Sequence, residues 1–322
     1  MFVLIFTKLR GSRLGILIRN IISEWPAYQT MPGVIHFQIL KLKMRVMLSF
    51  ISETLTMSQV IRRKLQSTKK LQGVFDGEIL ILGNGPSINN LDLEQIEAFQ
   101  KFGGKVAVMN NFLLTKKKNI EPDFIFMTYP GYWDLNRQES ESRGLDANIR
   151  HLREFQKCFL VQPAKYSNIL EEESRTIFVD HRSIAGLCWV DSPVRPQASP
   201  SSVALTALST AKYLGFQRIY FAGLDSDMYK RFFVDMLNEI YFDTSENYFY
   251  STETKKMDDL SEKSGFGVIS MEGLPVSSMS DALFAAAVFL RDFKRMNDGR
   301  FINVGGDFTN DAAPRACLTR YY

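Results

Sequence analysis

The stretch LILGNGPSINNLDLEQIEAF (residues 80–99) runs from an apolar segment through a Gly-Asn-Gly-Pro-Ser turn into helical periodicity. A buried strand, then glycines, then a helix is the context in which backbone approaches a phosphate or ribose at a sheet's carboxyl edge. The third glycine of a dinucleotide fingerprint is missing: Ile88 follows Gly83-Asn84-Gly85-Pro86-Ser87, and Pro86 would disturb that turn. No Gly-Lys-Ser/Thr phosphate loop occurs either, so an ordinary NAD or ATP site is disfavoured. Asn84 and Ser87 are short polar groups suited to ligand hydrogen bonds, which a purely structural turn does not require.

Outward from this turn, short apolar runs alternate with helical stretches. The runs are EILILG (78–83), KVAVMN (105–110), DFIFMT (123–128), CFLVQ (158–162), RTIFVD (175–180), RIYFAG (218–223) and RFINVGG (300–306). Such alternation predicts one α/β domain with a largely parallel sheet, over residues 73–322. The segments SSVALTALSTAKYL and SDALFAAAVFLRDFKRM begin after serines able to cap a helix. Residues 244–279 are polar and rich in Ser, Thr and Gly, and a loop of that length reads as a substrate-covering lid or a variable insertion.

A second polar constellation lies in PSSVALTALSTAKYLGFQRIYFAGLDSDMY, residues 200–229. Ser201 and Ser202 stand at a helix N-terminus, which favours an anion, or they simply cap it. The next strand delivers Asp225, Asp227 and Tyr229 to the same carboxyl edge as the glycine turn. The Asp225-x-Asp227 spacing also suits Mg²⁺, since hard cations take carboxylate oxygens.

The net charge of +4 conceals an asymmetry. Through Lys70 there are 12 Lys and Arg against Glu24 and Glu53, or +10, while the other 252 residues carry −6. The opening MFVLIFTKLRGSRLGILIRNII is apolar but broken by Lys8, Arg10, Arg13 and Arg19, too early to give the roughly 20 apolar residues of a membrane span. Residues 1–72 read as a basic amphipathic segment that lies on an anionic membrane surface, or that packs on the main domain or on another subunit, as a homo-oligomer would offer. Nucleic acid is disfavoured, because the cations are interleaved with bulky aliphatics.

Cys158, Cys188 and Cys317 lie far apart, without the spacing of a zinc site or redox pair, which fits a reducing, cytoplasmic compartment. The three histidines, His36, His151 and His181, form no metal-binding pattern. His151 reads as part of a solvated helix face and His181 as a strand-end residue, while Arg182 and Arg195 could grip a sugar carboxylate or merely sit in a solvated loop.

Three pieces, LILGNGPSINNLD, VMNNF and SSVALTALSTAKYLGFQRIYFAGLD, resemble segments of the bacterial lipooligosaccharide sialyltransferases, inverting enzymes that use CMP-activated sialic acid. They are also similar to the related domain of flagellin-glycosylating motility accessory proteins and of an archaeal-type hydroxymethylpterin diphosphokinase. The resemblance extends over residues 78–322 and is strong only in those pieces. It implies CMP contacts by Asn84, Gly85 and Asn110, nucleotide binding by Ser201 and Ser202, and a grip on the leaving phosphate by Tyr229 and Tyr241.

This chain departs from that family at two places. Thr128-Tyr129-Pro130 stands where the family carries Tyr-Asn-Pro, and no histidine follows His181 to act as the family's general base. Inverting displacement of CMP needs a base near the acceptor hydroxyl and stabilisation of the departing phosphate. Asp227 is the first candidate for that base, with Asp243 and Glu246 as others.

The architecture implied is a single Rossmann-like, mostly parallel sheet with flanking helices, a variant of the GT-A type, preceded by the basic segment. The function implied is transfer of a sialic or related nonulosonic acid from a CMP-sugar to a cell-surface glycan or glycolipid, at the inner face of the cytoplasmic membrane. No cofactor is required by that reading, although Mg²⁺ remains open. An ATP-dependent diphosphokinase-like enzyme and a non-catalytic nucleotide- or glycan-binding protein are the alternatives.

Overall fold

The computed structural model describes residues 51–52, 54–110, 112, 120–128, 157–166, 173–180, 192–196, 203–224, 232–234, 240–242, 289–305, 313–316 and 318. All seven apolar runs are strands of one sheet: β1 (Glu78–Leu82), β2 (Lys105–Met109), β3 (Phe124–Phe126), β4 (Phe159–Pro163), β5 (Thr176–Val179), β6 (Arg218–Ala222) and, last in the chain, β9 (Phe301–Asn303). A separate antiparallel hairpin pairs β7 (Phe232–Val234) with β8 (Ile240–Phe242). Among the described residues the helices are α1 (Gln59–Lys69), α2 (Leu93–Lys101) and α3 (Val203–Leu214), and residues 51–52, 54–55 and 289–296 are also helical.

The sheet order is β5-β4-β3-β2-β1-β6-β9, and every pair is parallel. The fold is therefore α/β, Rossmann-like, with a seven-stranded all-parallel sheet and flanking helices. Strands of such a sheet are covered on both faces, which is why they read as nearly continuous apolar runs. Alternate residues feed opposite layers. Ile79, Ile81, Ala107, Phe124, Phe126, Val161 and Phe221 pack with Leu208 and Ala211 of α3 and with Phe293. On the other face, Leu80, Leu82, Val106, Val108, Leu160 and Tyr220 pack with Ile96 and Phe99 of α2.

Both edges of the sheet are occupied. Along β5, α1 buries Leu65 against Phe178 and Ala164, and the hydroxyl of Thr68 accepts the Phe178 N–H at 2.7 Å. Along β9, residues 313–316 run parallel to the strand: Asn303 N–H donates to Pro314 O, and Ala316 N–H to Asn303 O. Unpaired strand edges invite pairing with other chains, and these contacts remove the template. The C-terminal part of the basic segment is thus tied to the sheet by its own buried residues.

Candidate functional site

In the order β5-β4-β3-β2-β1-β6-β9, the chain leaves β1 toward β2 and leaves β6 in the opposite direction, toward β9. The switch point falls between β1 and β6. Open α/β sheets bind ligands in the crevice that opens there, outside the carboxyl ends of the strands. The Gly83-Asn84-Gly85 turn follows β1 and Gly223-Leu224 follows β6, so both lie at that crevice.

The turns around it are laced together. Gly83 N–H donates to Ala222 O at 2.8 Å, Gly85 N–H to Gly223 O at 2.9 Å, and Gly223 N–H to Ser87 Oγ at 2.9 Å. Asn90 Nδ2 donates to Gly305 O at 2.9 Å, which ties in the turn after β9. Gly83 is required because a Cβ there would overlap the Gly223 carbonyl. The Gly85 amide and the Ser87 hydroxyl, both expected at a ligand, are therefore engaged in holding the two turns together.

Three side-chain oxygens at this carboxyl edge are buried without a hydrogen-bond partner among the described residues. Asn84 Nδ2 donates to Met109 O at 3.3 Å. Only the amino end of an amide can donate to a carbonyl, so this bond fixes Oδ1 as the free end. That oxygen is buried and has no hydrogen-bond partner among the described residues. The register Leu82↔Val108, continued by two residues on each side, sets Asn84 opposite Asn110. Asn110 holds a left-handed backbone, φ 46°, and its Oδ1 is also buried and unpartnered among the described residues. Asn tolerates this conformation better than most residues. Past the end of β3, the Thr128 hydroxyl is a third such group.

Helix α3 adds polarity. It ends at Leu214, shortly before β6 begins at the sheet's amino edge, so its N-terminal end points back to the carboxyl edge. It packs on β1 and β6. The partial positive charge of its N-terminus is thereby directed at the switch-point crevice.

Of the residues expected at the site, the structure brings Asn84, Gly85, Ser87 and Asn110 to one edge. Tyr241 lies in β8 of the hairpin. Ser201, Ser202, Asp225, Asp227, Tyr229, Asp243 and Glu246 lie outside the described residues, as do the 244–279 stretch, His151, His181 and Arg182. Thr128, noted in the sequence only for its departure from the Tyr-Asn-Pro turn, ends at the same edge. Its signal was present, since each of three apolar runs ends in a polar residue at this edge: Asn84 beyond Gly83, Asn110 and Thr128.

Among the described residues, no three His, Cys, Asp or Glu side chains cluster as a metal site, and no helix is long and apolar enough to cross a membrane. Cys158 lies at the opposite, amino edge of the sheet, where burial pushes its thiol pKa up and the Asp123 carboxylate adds to the effect. The fold is that of a Rossmann-like α/β protein, with buried, unpartnered side-chain oxygens past the carboxyl ends of its strands. Comparison with protein-family models, with curated proteins and with solved structures finds no match to the chain.

Proposed function

We propose that this chain is an inverting glycosyltransferase that moves a sialic or related nonulosonic acid from a CMP-sugar to a cell-surface glycan or glycolipid. The observation that carries the reading is the pair of buried, unpartnered amide oxygens of Asn84 and Asn110 beside the switch point. An unsatisfied buried acceptor costs about 1–3 kcal/mol, a cost removed when a ligand donates to it. Acceptor oxygens disfavour a phosphate and favour amino or hydroxyl groups, which the base and sugar of a nucleotide supply. The phosphate then belongs at the positive end of α3, near Ser201 and Ser202. Asp227, Asp243 and Glu246 are the candidates for the base that takes the acceptor's proton, and Asp225 with Tyr229 and Tyr241 for the donor's phosphate.

A membrane-bound acceptor accords with the basic N-terminal segment. Within it, α1 carries exposed Arg62, Arg63 and Lys69, with Lys70 just beyond, and no acidic residue in its first turn. Such a surface is drawn to anionic lipid.

The test is calorimetric titration of the full chain with CMP, ATP, UDP and GDP, each with and without Mg²⁺. The full chain is needed because a start near Gly73 would remove Leu65 and Thr68 from the core. Selective CMP binding that weakens in Asn84→Ala supports the reading and leads to donor screening. Mg²⁺-dependent ATP binding replaces it with the diphosphokinase-like alternative. CMP binding with no hydrolysis of, or transfer from, any CMP-sugar leaves a nucleotide-binding protein without transferase activity.

A further inference from the structure

The exposed cations of α1 lie along a helix whose direction is set by its two ends. The residues just after it meet the C-terminal end of α3 at the sheet's amino edge, where Gly73 N–H donates to Tyr213 O and Phe75 N–H to Leu214 O. The other end lies past the carboxyl ends of β4 and β5. There Met57 and Ile61 pack on the cluster that holds Ala164 and Val194, and Lys64 Nζ donates to Tyr166 O. Helix α1 therefore starts at the carboxyl edge, the edge of the switch-point crevice.

Two kinds of side chain mark that starting end. Leu55 is 75 % exposed and Val60 61 %, and Ile51, one helical turn before Leu55, is exposed as well. Val60 and Arg63 are i, i+3 neighbours on the face of α1 turned away from buried Leu65. Arg62 Nη2 donates to Thr54 O at 3.3 Å, which holds the turn carrying Leu55 beside the arginines. The charge has one sign: residues 54–75 contain Arg62, Arg63, Lys64, Lys69 and Lys70 but no Asp or Glu. Lys64 is turned inward, 5.1 Å from the centre of the Phe178 ring, and the other four are exposed. Exposed aliphatics rimmed by cations match the headgroup boundary of an anionic bilayer. Nucleic acid would find no aromatic ring to stack on between residues 51 and 70.

We infer that the chain sits on an anionic bilayer through the carboxyl-edge end of α1, with Leu55 and Val60 in the headgroup boundary and Arg62 and Arg63 on lipid phosphates. The inference rests on the membrane-acceptor reading above and adds which end of the protein meets the lipid. Lys69 and Lys70 lie at the far end of α1, about 10 Å from Arg62 and Arg63 at 1.5 Å per residue. That is about the distance over which salt screens a surface charge, so they contribute little to docking. In this pose the carboxyl edge of the sheet faces the membrane. The crevice between β1 and β6 then opens toward the bilayer, where an acceptor carried on a lipid is held.

The experiment co-sediments the full-length protein with vesicles of phosphatidylcholine alone and of phosphatidylcholine mixed with phosphatidylglycerol. Wild type should bind the anionic vesicles, less at high salt, and not the neutral ones. Arg62→Gln with Arg63→Gln should weaken binding about fivefold for each cation removed. Arg62→Lys with Arg63→Lys, which keeps the charge, should stay within about twofold of wild type. Leu55→Gln with Val60→Gln should cost about tenfold through lost apolar burial. Lys69→Gln with Lys70→Gln should stay within about twofold.

An equal loss in the Lys69, Lys70 pair overturns the inference, because α1 would then lie flat on the lipid. Undiminished binding in the Arg62, Arg63 glutamine pair overturns it by moving docking to other residues. A full loss in the lysine pair also overturns it, by assigning the arginines to holding the helix. A wild type that binds no anionic vesicle overturns the inference and the membrane-acceptor reading together. Vesicle binding needs no nucleotide, so a protein that docks in this pose and binds no CMP overturns the transferase reading and leaves the docking surface standing.

Discussion

Gly83 and Gly223 stand so close across β1 and β6 that a Cβ on Gly83 would overlap the Gly223 carbonyl. Gly223 is itself in the left-handed region, φ 71°, and a Cβ there would lie 3.0 Å from the Gly83 carbonyl oxygen. Two turns that meet at a switch point can approach this closely only if neither has a side chain. The glycines therefore shape the crevice by backbone contact, and recognition falls to the side chains beside them.

Gly83→Ala should accordingly destabilise the unliganded fold by about 1–3 kcal/mol, the range for forced overpacking. The obstacle is backbone, which cannot rotate away as a side chain end could. Urea titration should show a lower midpoint at unchanged slope, because the loss is one of native packing and not of a different unfolded state.

Asn110 combines a strained backbone with a buried unpartnered oxygen, and two substitutions separate the two properties. Asn110→Gly relaxes the left-handed backbone, whereas Asn110→Ala holds a Cβ in it. The glycine variant should be the more stable by about 1 kcal/mol in urea unfolding. Both lack the amide, so under the nucleotide reading both should lose CMP affinity about tenfold. Loss in the alanine variant alone would assign Asn110 to backbone geometry.

The strands were legible because a sheet buried on both faces makes its strands nearly continuous apolar runs; EILIL, KVAVM and RIYFA carry a charged residue only at their first position, and FLVQP has one buried glutamine, Gln162. The hairpin of Phe232–Val234 and Ile240–Phe242 was not, since three-residue strands without an Asn-Gly or Asp-Gly turn between them give no periodicity to detect. The role of α1 was half legible. Its pattern showed a face to bury, but Leu65 and Thr68 look the same in sequence whether that face meets lipid or the β5 edge. Site chemistry was harder still. The Gly-Asn-Gly turn suggests backbone donors, yet the Gly85 amide is taken by Gly223, a contact made across a long separation in sequence.

Thr68 caps an otherwise open N–H of the edge strand, with its side chain fully buried. Thr68→Val keeps the shape and strands the Phe178 amide, which should cost about 1–3 kcal/mol. Thr68→Ser keeps the acceptor and should lose less, by the value of one methyl group. Hydrogen exchange at Phe178 is the direct measurement: accelerated exchange is expected in the valine variant and near-native protection in the serine variant.

Cys158 gives the fold a defined response to alkali. Burial, and then the nearby Asp123 carboxylate, hold its thiol pKa far above the ordinary value of 9.0, while Arg175 opposes them weakly. The folded protein thus retains a proton that the unfolded chain releases above about pH 9. Stability from this group is complete below that pH and falls as pH rises, by up to about 1.4 kcal/mol per unit. Tyr213, raised by its own desolvation, acts in the same direction at still higher pH. Cys158→Ala removes the thiol, so urea midpoints measured between pH 8 and 10 should fall less steeply than in wild type. Native Cys158 should also resist iodoacetamide at pH 8.5 and become alkylated only on unfolding, because the thiolate is the reacting species. A parallel pH dependence in the alanine variant would mean that other groups govern alkaline unfolding.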